Sequence, residues 1–314
     1  MLTFGPIPSR RLGRSIGINS IPPKNCSYAC VYCQIGRTTG FSSQRTNFYN
    51  PETLAKALEE RLEQVRGNGE TVDYVTFVPD GEPTLDARLG EAHRLVRALG
   101  VPVAIITNGS MMGNAKVRND LMAFDLVSIK VDSVDPDTWL KTDRPHPGLK
   151  LDDIMQGALL FAEQYGGRLL TETMLVDGLN DADAVLELTA AFISQMGPFR
   201  SYISVPTRPP MEKWVKIPSP ERLASAYSIF SEKIPSVELL TGYEGNAFAA
   251  SGDPGKDLLD ITAVHPMRRD AVEDLLERSG AVWDVVESLV TEGLLKRITY
   301  SDQEFFLRTP AGGK

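Results

Sequence analysis

Cys26-Ser27-Tyr28-Ala29-Cys30-Val31-Tyr32-Cys33 holds all three cysteines of this 314-residue chain. Thiols gathered so tightly suit a metal site, yet three thiolates make an incomplete cage. Iron-sulfur clusters are usually held by four, so a set of three leaves one iron open to an exchangeable ligand. Other readings fit less well. A disulfide framework needs paired cysteines and an oxidising compartment, whereas the count here is odd and no signal-like segment precedes the loop. A zinc site of three Cys and one His would draw on His93, His146 or His265, none at a finger-like spacing. Three free thiols packed as small apolar groups would not be expected to crowd into one loop bounded by Pro and Gly.

The spacing Cys-x3-Cys-x2-Cys, with Tyr32 before the third cysteine, resembles the signature loop of the radical S-adenosylmethionine (SAM) enzymes. The resemblance implies that Cys26, Cys30 and Cys33 bind three irons of a 4Fe-4S cluster while the fourth iron chelates the amino and carboxylate groups of SAM. It also implies reductive cleavage of SAM to a 5'-deoxyadenosyl radical, which abstracts hydrogen from a substrate. Such an oxidoreductase draws its electron from a partner such as flavodoxin or ferredoxin. The cofactor carries the hard chemistry, and the protein positions it and excludes water.

Outward from the loop, apolar runs alternate with amphipathic stretches. Strands are expected near 14 to 19, 73 to 78, 102 to 107, 126 to 132, 168 to 175, 200 to 205 and 236 to 241. Helices are expected over 51 to 66, 85 to 99, 151 to 165, 181 to 196 and 219 to 233, with start signals at Asn50 or Pro51, Asp152, and Ser219-Pro220. This repeat predicts an α/β fold with a parallel sheet and right-handed crossovers. It resembles the partial (β/α)6 barrel of radical SAM enzymes. Functional residues of such folds gather at the carboxyl ends of strands, where the cysteine loop lies.

Each following strand end adds a candidate. After the second comes Asp80-Gly81-Glu82-Pro83, where Gly81 permits close backbone approach and Pro83 stiffens the exit. Alone it is an ordinary turn. Beside the cysteine loop, Gly81-Glu82-Pro83 resembles the family's GGEP element, which contacts the amino group of SAM; Asp80 replaces its first glycine. The third strand ends in Thr107-Asn108-Gly109-Ser110, again a common turn sequence, and the resemblance places Asn108 on the ribose and adenine side of SAM. On the fourth strand, alternation turns Val127, Ile129 and Val131 to the helices and Ser128, Lys130 and Asp132 to the lumen. An inward lysine needs a partner, and Asp132 is on the same face. The pair is either a structural ion pair or catalytic, and the resemblance brings Ser128 and Lys130 to SAM. Tyr32 joins the cofactor-binding set.

Further rim candidates are His146 and Arg144 for substrate contact or proton transfer, Glu172, Asp177 and Asn180 near the fifth strand, and Arg208 as a clamp for carboxylate or phosphate. The segment 8 to 15 is locally basic and reads as a solvated tail, or else as an anion-binding element near the first strand. With Pro206-Thr207-Arg208-Pro209-Pro210 and Gly242-Tyr243-Glu244-Gly245-Asn246, it is similar to the group of wyosine-forming tRNA radical SAM enzymes. Those enzymes use extra cysteines for a second cluster, and this chain has none left.

The carboxy-terminal composition changes. A barrel over 1 to 247, a linker over 248 to 256 and a small unit over 257 to 310 are expected, the last reading helix, helix, hairpin: a winged helix. Its second helix offers Asp284, Glu287 and Glu292 with no Lys or Arg between 281 and 293, which disfavours DNA. An RNA contact through Lys296 and Arg297 stays open.

Composition fits a soluble cytoplasmic enzyme: 42% hydrophobic, 41 acidic against 33 basic side chains, net charge -8, and no apolar run of membrane-spanning length. The expected function is radical SAM chemistry on a small-molecule, peptide or RNA substrate. The alternatives are wyosine-type tRNA modification and a non-catalytic iron-sulfur sensor with a nucleic-acid-binding winged helix.

Overall fold

A computed structural model of the chain describes residues 2–9, 11–241, 253–264 and 266–309. It opens with a hairpin of β1 (Thr3–Ser9) and β2 (Gly13–Ile18), followed by the cysteine loop, which is flanked by the short strands β3 (Asn25–Cys26) and β4 (Gly40–Phe41). Then come α1 (Pro51–Gly67), β5 (Tyr74–Phe77), a 3-10 turn (Pro83–Leu85), α2 (Leu89–Arg97), β6 (Val103–Thr107), α3 (Ala115–Leu121) and β7 (Leu126–Lys130). The series ends with α4 (Pro136–Thr142), α5 (Leu151–Gln164), β8 (Arg168–Met174), α6 (Asp183–Met196), β9 (Arg200–Ser204), α7 (Pro220–Lys233) and β10 (Val237–Leu240).

The main sheet runs β1-β2-β5-β6-β7-β8-β9-β10, with β2 to β10 parallel and β1 antiparallel to β2. Spatial order follows chain order, so each crossover steps the same way around the sheet. Six βα units and a final strand make the partial (β/α)6 barrel expected from the sequence.

Period-two alternation builds two layers. Val75, Phe77, Val103, Ile105, Val127 and Ile129 face the helices, whose buried stripes include Leu54, Leu58 and Leu62 of α1. Ala104, Leu126, Leu170, Tyr202 and Leu240 point the other way and, with Leu12, floor the lumen. That apolar floor leaves polar groups for the carboxyl ends of the strands.

Several expectations need correction. The amino-terminal segment is no solvated tail: Ile7, Pro8 and Ser9 pair with Ser15, Arg14 and Gly13 in the β1–β2 ladder; Arg10 lies outside the described residues. The fourth parallel strand stops at Lys130, leaving Asp132 buried in the following turn. Leu85 belongs to a 3-10 turn, and α2 begins at Leu89. Asp152 does not cap α5; Lys150 occupies the cap and Asp152 the first turn, where its charge favours the helix dipole.

Beyond the barrel come α8 (Pro254–Val264), β11 (Met267–Arg268), α9 (Arg269–Arg278), α10 (Asp284–Thr291), β12 (Leu295–Tyr300) and β13 (Gln303–Arg308). These include the expected helix, helix and hairpin, with α8 and β11 in addition. Since α8 starts at Pro254, the last three residues of the expected linker are helical. Residues 248–252 and the Gly242–Asn246 motif lie outside the described residues. Leu258, Met267, Val272, Leu275 and Phe306 form a separate core, against which Ile7 of β1 packs. Tyr300 Oη donates to the Pro206 carbonyl at 2.8 Å, tying this unit to the loop after β9. Arg297 pairs with Glu287 of α10 at 2.6 Å. No described helix is long and apolar enough to cross a membrane.

Candidate functional site

The cysteine loop is stitched to the segment after α4. Ala29 N donates to the Asp143 carbonyl at 3.0 Å, Val31 N to that of Thr142 at 3.0 Å, and His146 N to that of Ser27 at 2.9 Å. The three thiols are free and their residues half-buried. Burial first, and then nearby acids, push the thiols up: Cys26 to about 12 with Glu82 adding, and Cys30 well up with Asp143 adding. Burial also raises Cys33. A cationic partner reverses such shifts by ligating the thiolate.

Among the described residues no three His, Cys, Asp or Glu side chains converge as ligands of one ion. The donor set is nevertheless all sulfur, and the thiols are close enough that Cys33 raises Cys26 and Cys26 raises Cys30 electrostatically. This arrangement suits a multi-iron cluster, in which each thiolate takes its own iron, better than a single zinc. His93 is buried against Phe124, and His146 Nδ1 accepts from Gly148 N at 3.1 Å. His265 lies outside the described residues.

Glu82 joins the other two motifs to this loop. It is 1% exposed, and its carboxylate accepts from Thr84 N at 3.0 Å, Thr84 Oγ1 at 2.5 Å, Thr107 Oγ1 at 2.6 Å and Asn108 N at 2.7 Å. Burial pushes it up, and these hydrogen bonds oppose the shift. Asn108 Nδ2 in turn donates to Ser27 Oγ at 3.2 Å and approaches Cys26 Sγ at 3.5 Å. Gly81 lies so close to the loop that a Cβ there would sit 1.9 Å from the Asn25 carbonyl oxygen, while Glu82 N donates to that oxygen at 3.0 Å. Pro83, buried, opens the 3-10 turn.

The polar lumen lies next to this junction. Lys130 Nζ stands 3.5 Å from Glu172 and 3.8 Å from Asp132, and it sits over the Tyr32 ring. Burial pulls the ammonium down, but Asp132 and Glu172 outweigh it and the net shift is up, so Lys130 stays charged. Glu172 also pairs with Arg11 and accepts from Ser204 Oγ at 2.8 Å; against burial, Arg11 and Lys130 draw it down to about 2. Asp132 accepts from Tyr32 Oη and from Met174 N, the latter at 2.7 Å. Asp143 stands 3.4 Å from both Tyr32 Oη and Cys30 Sγ. Ser128 Oγ is buried without a hydrogen-bond partner among the described residues.

Tyr32, Glu82, Asn108, Lys130 and Asp132 thus come together around the cysteines. His146 does not join them: it packs on Phe41 beside Ser43. Arg144 pairs with Glu212. Asn180 is a structural clamp, donating to the carbonyls of Asp132 and Met174. Arg208 donates to Gln34 at 3.1 Å and lines a lumen cavity. Arg11 belongs to the segment 8 to 15 read as a tail or an anion-binding element, and Asp143 had no role assigned. The only signal for Arg11 was the basic run, while Asp143 stood unremarked beside Arg144.

The radical SAM superfamily model matches residues 20–189, more than half of the chain. The UPF0026 protein MJ1312 of Methanocaldococcus jannaschii is 44% identical over 98% of this chain and 96% of its own length. A UPF0026 protein of Helicobacter pylori strain 26695 is 32% identical over 71% of each chain. A radical SAM methyltransferase from Sphaerobacter thermophilus shares the fold at TM-score 0.52, with 16% identity over 72% of this chain and 66% of its own. The chain is an enzyme that belongs to the radical SAM superfamily.

Proposed function

We propose that Cys26, Cys30 and Cys33 carry a 4Fe-4S cluster, and that SAM lies over it between Tyr32, Gly81–Pro83, Asn108, Ser128 and Lys130. Together these groups, once reduced by a flavodoxin or ferredoxin, supply a 5'-deoxyadenosyl radical that takes hydrogen from a substrate. The observation that carries the assignment is the Glu82 network: its carboxylate accepts from Thr84 and from Thr107 and Asn108 after β6, while Glu82 N donates to the Asn25 carbonyl and Asn108 Nδ2 to Ser27 Oγ of the cysteine loop. A buried carboxylate so fully engaged positions its neighbours instead of reacting.

Each remaining residue has a physical task. Lys130 offers a fixed ammonium to an oxygen of the cofactor or substrate, and Asp132 holds the Tyr32 hydroxyl next to the loop. The buried Ser128 hydroxyl is free to donate to a ligand. The carboxy-terminal unit is read as a winged-helix element supporting the open barrel edge through Ile7 and Pro206; acidic α10 disfavours DNA as its partner.

The test is anaerobic reconstitution with iron and sulfide, then dithionite and SAM. Release of 5'-deoxyadenosine is expected; its absence from a fully loaded cluster would overturn the assignment.

A further inference from the structure

A lumen cavity of about 210 Å³ lies beside the cysteine loop, between the β1–β2 hairpin and the ends of β5 and β6. A cavity of about 150 Å³ accommodates benzene, so this one has room for a small molecule. Phe4, Leu12 and Ile106 give it apolar walls. Its charged groups are Arg11, Arg208 and Asp80, and the hydroxyls of Ser15 and Thr76, which bond each other at 2.6 Å, also line it. A guanidinium matches an oxyanion bidentately, and Gln34 holds the Arg208 fork at 3.1 Å. Asp80 is 6% exposed, and its Oδ1 is buried with no hydrogen-bond partner among the described residues, while Oδ2 lies 3.9 Å from Lys24. Such an orphaned acceptor calls for a donor from a ligand.

The geometry points to a small organic acid as the occupant, its carboxylate on Arg208 and Arg11 and an amine or hydroxyl donating to Asp80 Oδ1. Calling it the substrate rests on the proposed function; the binding itself does not. The acid end faces the two arginines, and Phe4, Leu12 and Ile106 line the apolar remainder. Arg11 also pairs with Glu172, and Arg208 also donates to Gln34.

Calorimetry on the anaerobically reconstituted full chain, without reductant, tests this with four probes: succinate, L-malate, L-aspartate and inorganic phosphate. The first three are near-isosteric and differ in the donor beside one carboxylate. L-Malate or L-aspartate is expected to bind at least about tenfold tighter than succinate, the value of one satisfied buried acceptor. Asp80→Leu, which removes the acceptor, should erase that difference, and Arg208→Met should weaken every carboxylate by at least about tenfold. If Arg208→Met melts early, Arg208→Lys replaces it and should weaken binding at an unchanged melting temperature. No binding by the three acids at millimolar concentration, equal affinity for succinate, affinities indifferent to Arg208, or binding of phosphate alone would each overturn the assignment. None of these arms needs SAM cleavage, so this idea and the radical reaction fail separately.

Discussion

Glu82 Oε2 accepts the backbone N–H of Asn108 at 2.7 Å, binding the turn after β5 to the turn after β6. Its other oxygen takes Thr84 N and the hydroxyls of Thr84 and Thr107. In Glu82→Gln, either orientation of the amide sets an NH2 group against a backbone N–H. Stability should fall by about 1–3 kcal/mol, and SAM affinity with it. Chemical denaturation and SAM titration check this; a variant unchanged in both would remove Glu82 from the positioning role.

Gly81→Ala tests the close approach of the same turn to the cysteine loop. The new methyl would overlap the Asn25 carbonyl, one residue before Cys26. One of the two segments must move, and backbone meets backbone here. Iron content after reconstitution should drop and SAM cleavage should fall at least about tenfold, consistent with the sensitivity of reacting geometry to shifts on the order of 1 Å. Full iron loading with wild-type turnover would show that the turn absorbs the methyl.

Cys30→Ala should abolish cluster assembly while leaving the barrel folded, because the loop lies outside the helix-facing core. Iron and sulfide analysis with far-ultraviolet circular dichroism separates the two effects. Normal iron content would refute the ligand assignment.

All seven parallel strands were legible because their apolar runs are long enough to show periodicity. The cysteine loop and the Gly81 and Asn108 turns were legible because their residue types are specific. The seven-residue helices α3 and α4 were not, since two turns carry too few apolar positions to form a stripe. Strand β1 was hidden by Pro6, Pro8 and the basic run after it, composition that reads as tail; its place is set by pairing with β2. The Arg11–Glu172 pair joins residues 161 apart, a relation that no local pattern encodes.

Lys130→Met removes a charge from between Asp132 and Glu172. Glu172 keeps Arg11 and Ser204, and Asp132 keeps Tyr32 and Met174 N, so neither carboxylate is stranded. Stability should therefore change by less than the roughly 3–5 kcal/mol seen when a buried pair is broken outright. SAM cleavage should fall at least about tenfold, the scale expected when a charge-assisted hydrogen bond to a ligand is lost. A wild-type cleavage rate with a lowered melting temperature would make Lys130 purely structural.

Asp80 provides a pH signature. Burial raises its carboxyl from 3.8 to about 6, Lys24 and Arg308 only partly opposing the shift. The folded chain thus holds this proton more tightly than the unfolded chain. The stability contributed by the group is complete below about 3.8 and is lost as pH rises through about 6. Asp80→Asn has nothing to ionise there. The variant should gain stability over the wild type as pH rises from about 4, by up to about 3 kcal/mol above pH 6. Replacing the GGEP glycine with an acid has therefore placed an ionisable group where a carboxylate is disfavoured unless a ligand donates to it. Melting curves of both proteins across this range decide the point: a constant difference from acid to neutral pH would mean that Asp80 titrates as an ordinary carboxyl.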